Sequence, residues 1–222
     1  MGQRLFNAIG YTGEDVLERY IINHIDDEGE FLSSLYRNTN LKLINPRMAS
    51  GQIQGRFLKM LTKMIQPKMV LEIGTFTAYS TICIAEGLPK GGLIHTVEIN
   101  DELEPFIKKW INRSGYRDRI ELHIGDALKL VPNLGETFDM VFIDGDKREY
   151  PKYYSKFFEY VKSGGYIVAD NTLWNGNVID PERYLDRHTV SIMRFNDLVA
   201  ADKRVEVVII PLRDGISIIR KK

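Results

Sequence analysis

A single cysteine, Cys83, occurs in 222 residues. No disulfide can close within the chain, and neither a disulfide scaffold nor a cysteine-rich zinc site is available. Cys83 sits in an apolar helical pattern with Ile82, Ile84 and Ala85 and reads as a small core residue in a reduced, cytoplasmic setting. The four histidines, His24, His95, His123 and His188, are scattered without metal-ligand spacing and read as structural or surface residues. No apolar run approaches bilayer length, since stretches such as Val205–Ile210 are far too short. The opening residues carry no apolar core of signal-peptide length, and Phe6 stands where myristoylation requires Ser or Thr. Neither charge dominates: 30 basic side chains balance 30 acidic ones, so bulk charge implies no basic face for duplex nucleic acid. Low-complexity segments, repeats and Pro/Gly linkers are also lacking.

What remains is ordinary globular material, 44 % hydrophobic and 27 % charged, enough for one large α/β domain spanning residues 1–222. Residues 1–65 read as a helical extension and 66–222 as a cofactor-binding core. Apolar residues recur at helical spacing between Gly13 and Asn38, and Gln52–Ile65 carries Ile53, Phe57, Met60, Leu61 and Met64 on one stripe. From Met69 short strands alternate with helices. The strands read as Met69–Ile73, Gly92–Glu98, Arg119–Ile124, Phe138–Asp144 and Gly164–Asp170. Between them lie helical segments at Ala78–Gly87, Asp101–Ser114 and Arg148–Val161, and a short turn at Ala127–Leu130. This alternation predicts a Rossmann-like, doubly wound, mostly parallel sheet. Val205–Ile210 and Ile216–Arg220 add two strands, for seven in all. The five residues between them, with Asp214-Gly215, make a hairpin turn and cannot make a parallel crossover, so the last strand runs antiparallel.

Ligands of open α/β sheets bind at the carboxyl ends of the strands. The first strand runs into Glu72-Ile-Gly74, where Gly74 permits a tight turn. Only one glycine stands where a dinucleotide fingerprint has three, which counts against a dehydrogenase. The second strand ends at Glu98, 24 residues beyond Gly74, where an acidic side chain accepts hydrogen bonds from ribose hydroxyls. The third ends in Gly125-Asp126-Ala127, a turn suited to an adenine ring.

Together with the closing hairpin, these segments resemble class I S-adenosylmethionine-dependent methyltransferases. Val141-Phe-Ile-Asp-Gly-Asp-Lys147, Ala169-Asp-Asn-Thr-Leu-Trp-Asn-Gly176 and Asp214-Gly-Ile-Ser217 narrow the resemblance to the metal-dependent caffeoyl-CoA and catechol O-methyltransferases, from about Met48 to the C-terminus. The resemblance implies that Met48 and Ser50 close over S-adenosylmethionine, and that Glu72, Gly74, Ser80, Glu98, Ala127 and Asp146 belong to its shell. The family's first loop often carries a second glycine where this chain has Ala78.

Asp144, Asp170 and Asn171 sit at two neighbouring strand ends. Two carboxylates and an amide oxygen suit a hard divalent cation, Mg²⁺ foremost, with Mn²⁺ and Ca²⁺ as the other oxygen-seeking choices. Such a cation leaves room for two vicinal phenolic oxygens of a small aromatic acceptor. Lys147 is placed like the family's catalytic lysine, to take a proton or to stabilise a phenolate. Trp174–His188 lacks clean periodicity, and the resemblance implies an acceptor-covering loop in which Trp174 and Asn175 touch the acceptor. It also suggests a homodimer. Two other readings stay open: an RNA methyltransferase using a local patch at Arg47, Arg56 and Lys59, and a non-catalytic module that binds the cofactor.

Overall fold

Strands that carry apolar residues at successive positions need cover on both faces. The computed structural model supplies it. It describes residues 13–180, 183 and 186–222; the opening residues of the signal-sequence reading and part of the Trp174–His188 loop lie outside that range. Helices α1 (Gly13–Ile22), α2 (Gly29–Lys42) and α3 (Gly51–Ile65) precede β1 (Met69–Ile73). Then follow α4 (Tyr79–Gly87), β2 (Leu93–Glu98), α5 (Glu104–Arg113), β3 (Ile120–Ile124) and the one-turn α6 (Ala127–Leu130). The chain continues through β4 (Phe138–Ile143), α7 (Tyr150–Phe157), β5 (Val161–Asp170), α8 (Arg187–Ala201), β6 (Val205–Ile210) and β7 (Ile216–Lys221).

The strands form one seven-stranded sheet in the order β3-β2-β1-β4-β5-β7-β6. β1 to β5 pair in parallel, and β7 runs antiparallel to both β5 and β6, as the short final turn requires. Alternation along β4 shows how the two layers divide. Met140 and Phe142 face Leu58 of α3, Ile82 of α4 and Trp110 of α5, whereas Val141 and Ile143 face Tyr154 and Phe157 of α7 and Phe195 of α8. Cys83 is fully buried in the first layer. Tyr79 of α4 donates to Glu28, tying the entry to α2 onto the core.

Two elements differ from the pattern reading. β5 starts at Val161 rather than Gly164, with a register shift opposite Phe138–Met140. More substantially, α8 occupies a stretch where no helix is expected, so Arg187 and His188 belong to a helix and not to an irregular loop. Its start is fixed by Asp186, whose carboxylate accepts from the backbone N–H groups of His188 (2.9 Å) and Thr189 (3.1 Å). Its inner stripe is Ile192, Phe195 and Val199.

Candidate active site

Strand order reverses between β1 and β4, and such a reversal opens a crevice at the carboxyl ends of the strands. A cleft of about 1140 Å³ lies there, floored by the ends of β1, β2, β4 and β5 and capped by residues 42–50.

At the β1 end, Gly74 (φ 97°) turns so tightly against β4 that a Cβ there would collide with the Asp144 carbonyl. Ala78, the position where glycine is usual, is also left-handed (φ 65°). The alanine therefore keeps the loop shape at a cost of about 1–2 kcal/mol. Glu98 is fixed by two backbone donors, Phe76 N–H (2.7 Å) and Asn100 N–H (2.9 Å), and each oxygen keeps a free lone pair for the cleft. Ser80 lines the cleft, but Glu72 lies beneath it. The Glu72 carboxylate accepts from Ser80 Oγ (2.6 Å), Thr96 Oγ1 (2.6 Å) and Thr81 Oγ1. Burial pushes its carboxyl up to about 7, against the opposing pull of those hydroxyls.

At the β4 and β5 ends the chemistry changes. Asp144 accepts from Lys147 Nζ at 2.6 Å, and Lys147 also reaches the Tyr150 hydroxyl at 3.0 Å. Tyr150 stands within hydrogen-bonding reach of the carbonyls of Asp170 (3.0 Å) and Ile143 (3.2 Å), bracing the two strand ends together. Burial, the largest single influence, lowers the pKa of Lys147, but Asp144 and Tyr150 together outweigh it and the net shift is upward, which favours the ammonium form.

Asp170, 3 % exposed, is pushed upward first by burial and then by the charge of Asp144. Its Oδ2 accepts from Gln54 Nε2 at 2.6 Å and its Oδ1 from the Asn171 N–H at 2.8 Å. Asn171 adopts a left-handed backbone (φ 57°), and its amide nitrogen faces Asp214 Oδ2 at 3.4 Å. That orientation leaves its carbonyl oxygen free. Two carboxylates that repel each other, one free amide oxygen and no nitrogen or sulfur donor make a site whose donor chemistry fits a hard cation.

Most of the sequence-derived candidates meet in this cleft. Met48, Ser50, Gly74, Ser80, Glu98, Ala127, Asp144, Asp146, Lys147, Asp170, Asn171 and Trp174 all line it. Three do not. Glu72 sits behind Ser80. Asp126 spends its carboxylate capping α6, accepting from Leu128 N–H at 2.9 Å. Asn175 (φ 53°) follows Trp174 at a left-handed kink and is off the wall. Asp146 is paired with the Arg148 guanidinium at 2.5 Å.

Pattern reading missed Gln54 and Arg213. Arg213 Nη1 donates to Gln54 Oε1 (2.9 Å) and to the carbonyls of Ser50 and Ala49 (3.5 Å for Ala49). One arginine thus holds both the cap and the amide that fixes Asp170. Nothing in the sequence near either residue signals a contact spanning 159 positions.

Comparison with known proteins decides the class. The sequence model of the O-methyltransferase family matches residues 23–222. The chain belongs to the O-methyltransferase family. It is 37 % identical over 184 residues to caffeoyl-CoA O-methyltransferase 1 of Eucalyptus globulus, covering 78 % of this chain and 75 % of that one. Among solved structures, the O-methyltransferase of Bacillus cereus in complex with SAH superposes with a TM-score of 0.87 at 29 % identity, covering 93 % of this chain and 97 % of that one. The O-methyltransferase TomG of Streptomyces achromogenes, involved in tomaymycin synthesis and solved with SAM, gives 0.85 at 28 % identity, covering 100 % and 99 %. This chain is accordingly an S-adenosylmethionine-dependent O-methyltransferase with the Rossmann-like fold of its class.

Proposed function

We propose that this enzyme methylates one hydroxyl of a vicinal-diol phenol, catechol-like or caffeoyl-type, with a divalent cation held by Asp144, Asp170 and Asn171. The observation that carries the reading is the convergence of those three oxygen donors and the Lys147 ammonium in the same cleft as Glu98 and the Gly74 turn. A divalent cation bound there would lower the pKa of a phenolic hydroxyl toward neutrality. Lys147, already protonated, acts as a fixed positive charge that favours the phenolate oxygen, and Asp144 and Tyr150 hold it in place. Glu98 and the Gly74 turn are assigned to the ribose and the adjacent backbone of the cofactor, Ser80 and Ala127 to its flanks, and Met48 and Ser50 to its cover. Glu72 and Asp126 serve that shell indirectly, by fixing Ser80 and the α6 turn. Trp174, left-handed and half-buried beside His188, is assigned to the acceptor ring. Much of the acceleration comes from positioning, since methyl transfer needs sulfur, carbon and oxygen in line.

The RNA reading loses its support. Arg56 is buried and pairs with Glu86 at 3.0 Å, and Lys59 pairs with the same carboxylate at 2.9 Å. Of the three residues of that patch only Arg47 reaches the cleft. Activity as a single unit over residues 1–222, a homodimeric state and a reduced, cytoplasmic setting are parts of the same proposal. The free buried Cys83 is consistent with the last, and no helix among the described residues is long and apolar enough to cross a membrane.

The test is labelled-methyl transfer to a diol and to its mono-hydroxyl analogue. The diol should react on the order of a hundredfold faster, because the analogue loses the chelate that aims its oxygen. Chelator should stop transfer to the diol and Mg²⁺ should restore it. Equal rates insensitive to chelator would overturn the proposal, and salt-sensitive transfer to bulk tRNA would revive the RNA reading.

A further inference from the structure

Away from the cleft, β2 and β3 bring together residues that spacing alone leaves scattered. His95 pairs in register with Glu121, and His123 lies two residues further along β3, on the same face. His95 Nδ1 stands 2.9 Å from His123 Nε2 and 3.5 Å from Glu121 Oε2, and the three ligand atoms lie within 4.8 Å of one another. We infer that His95, Glu121 and His123 form a second cation site, of a different chemistry from the acidic wall of the cleft, suited to Zn²⁺ or a similar borderline metal.

Four features support the assignment. Two imidazoles and one carboxylate are the donor set of three-ligand zinc sites, which keep a fourth position for water. Zinc–ligand bonds of about 2.0–2.1 Å put tetrahedral donor atoms roughly 3.3–3.4 Å apart, and the two distances from His95 straddle that value. Burial, and secondarily the neighbouring His95, pushes the His123 imidazole below its ordinary pKa, which keeps its lone pair available. Finally, the cluster grades from buried His95 through half-buried His123 to exposed Glu121, so an ion has a path from solvent.

The site also has a built-in limit. With Nδ1 on the metal, His95 carries its proton on Nε2, which is buried without a hydrogen-bond partner. Zinc-bound imidazoles ordinarily donate that proton to a carbonyl or carboxylate, and loss of such a partner costs roughly 10–100-fold in affinity. Binding should therefore be weaker than in a closed structural site. Because β3 is the edge strand and His95 belongs to its neighbour, a bound ion would cross-link the open edge of the sheet and raise the thermal midpoint.

The test is titration of the full-length protein with Zn²⁺, and with Co²⁺ read by visible absorption, in excess Mg²⁺ to saturate oxygen-only sites. One equivalent should bind with a rise in the thermal midpoint. His123→Gln and Glu121→Gln should each weaken binding by more than the roughly 10–100-fold of a lost outer partner, with S-adenosylhomocysteine affinity unchanged as proof of folding. Asp170→Ala should leave this binding intact, and X-ray absorption of the zinc complex should show two imidazole ligands. Absence of stoichiometric binding, binding unaffected by the β3 substitutions, or binding lost in Asp170→Ala would overturn the assignment and leave His95 and His123 as a hydrogen-bonded imidazole pair.

Discussion

Glu72 and Asp170 are both carboxylates buried at carboxyl-terminal regions of parallel strands, and burial drives both pKa values upward. Their company separates them. Glu72 is surrounded by three hydroxyls, which rotate to donate or accept as its protonation state requires. Asp170 has one side-chain amide, one backbone N–H and a second carboxylate that repels it. The first is a carboxyl enclosed by hydroxyls. The second stands beside another carboxylate and is eased by Gln54, Lys147 and the Asn171 N–H, and a cation at the cleft would ease it further. A shifted pKa thus flags a constrained group, and the neighbours decide whether the constraint serves the fold or the chemistry.

The largest expected effect lies at Asp170. Asp170→Ala should abolish transfer to a diol, and excess Mg²⁺ should not rescue it, if Asp170 is the direct ligand proposed above. Calorimetry should still detect S-adenosylhomocysteine, since Glu98 and Asp170 share no hydrogen-bond partner. Full activity in this variant would move Asp170 into the same class as Glu72. Next in size is Lys147. Lys147→Ala should lower kcat by roughly 10²–10³, as removal of one preorganised charge donor does. If the lysine acts as an ammonium, as its contact with Asp144 indicates, the pH–rate profile should keep its shape. Loss of the ascending acid-side limb, where rate rises as a base is deprotonated, would instead make Lys147 the proton acceptor.

Much of this was legible before any coordinates. Residues at strand ends are fixed by periodicity, and a parallel sheet presents those ends on one edge, so Gly74, Glu98, Asp144 and Asp170 converge without knowledge of strand order. The reversed last strand followed from the length of one turn. Contacts between segments remote in sequence were not legible. Glu72 and Glu98 look alike as strand-terminal acids, yet only the fold shows that one faces hydroxyls and the other the cleft. Arg56 reads as a surface cation until Glu86 is found beside it. His95 and His123 look scattered until the β2–β3 register is known. The helix α8 carries its own signals, Asp186 followed by Ile192, Phe195 and Val199, and the loop expected over Trp174–His188 overlaps only its first two residues.

Gln54 touches Asp170 indirectly, and its loss should have a smaller effect. Gln54→Ala removes the amide that fixes Oδ2, and loss of such an outer partner should weaken Mn²⁺ or Mg²⁺ binding by roughly 10–100-fold. S-adenosylhomocysteine affinity should hold, because Gln54 is not part of the cleft wall. Arg213→Ala should weaken both, since the same guanidinium supports Gln54 and the Ala49–Ser50 carbonyls of the cap. Parallel metal and cofactor titrations of the two variants separate these outcomes. Identical profiles would mean that cap and cation site are not joined through this arginine.

The smallest effect on transfer belongs to Glu72, and its signature is in stability. The folded carboxyl titrates at about 7 against an ordinary 4.5. Between those values the native state holds a proton that the unfolded chain has released, so stability falls as pH rises through that window. The slope integrates to on the order of 3 kcal/mol, at 1.36 kcal/mol per pKa unit. Glu72→Gln mimics the protonated form, and the hydroxyls of Ser80, Thr81 and Thr96 can reorient to accept from its amide. Urea unfolding across this range should give a falling curve for the parent and a flatter one for the variant, with metal affinity equal in both. A variant that keeps the slope would assign the titration elsewhere, and Asp170, the other buried carboxyl with a raised pKa, would be the first place to look.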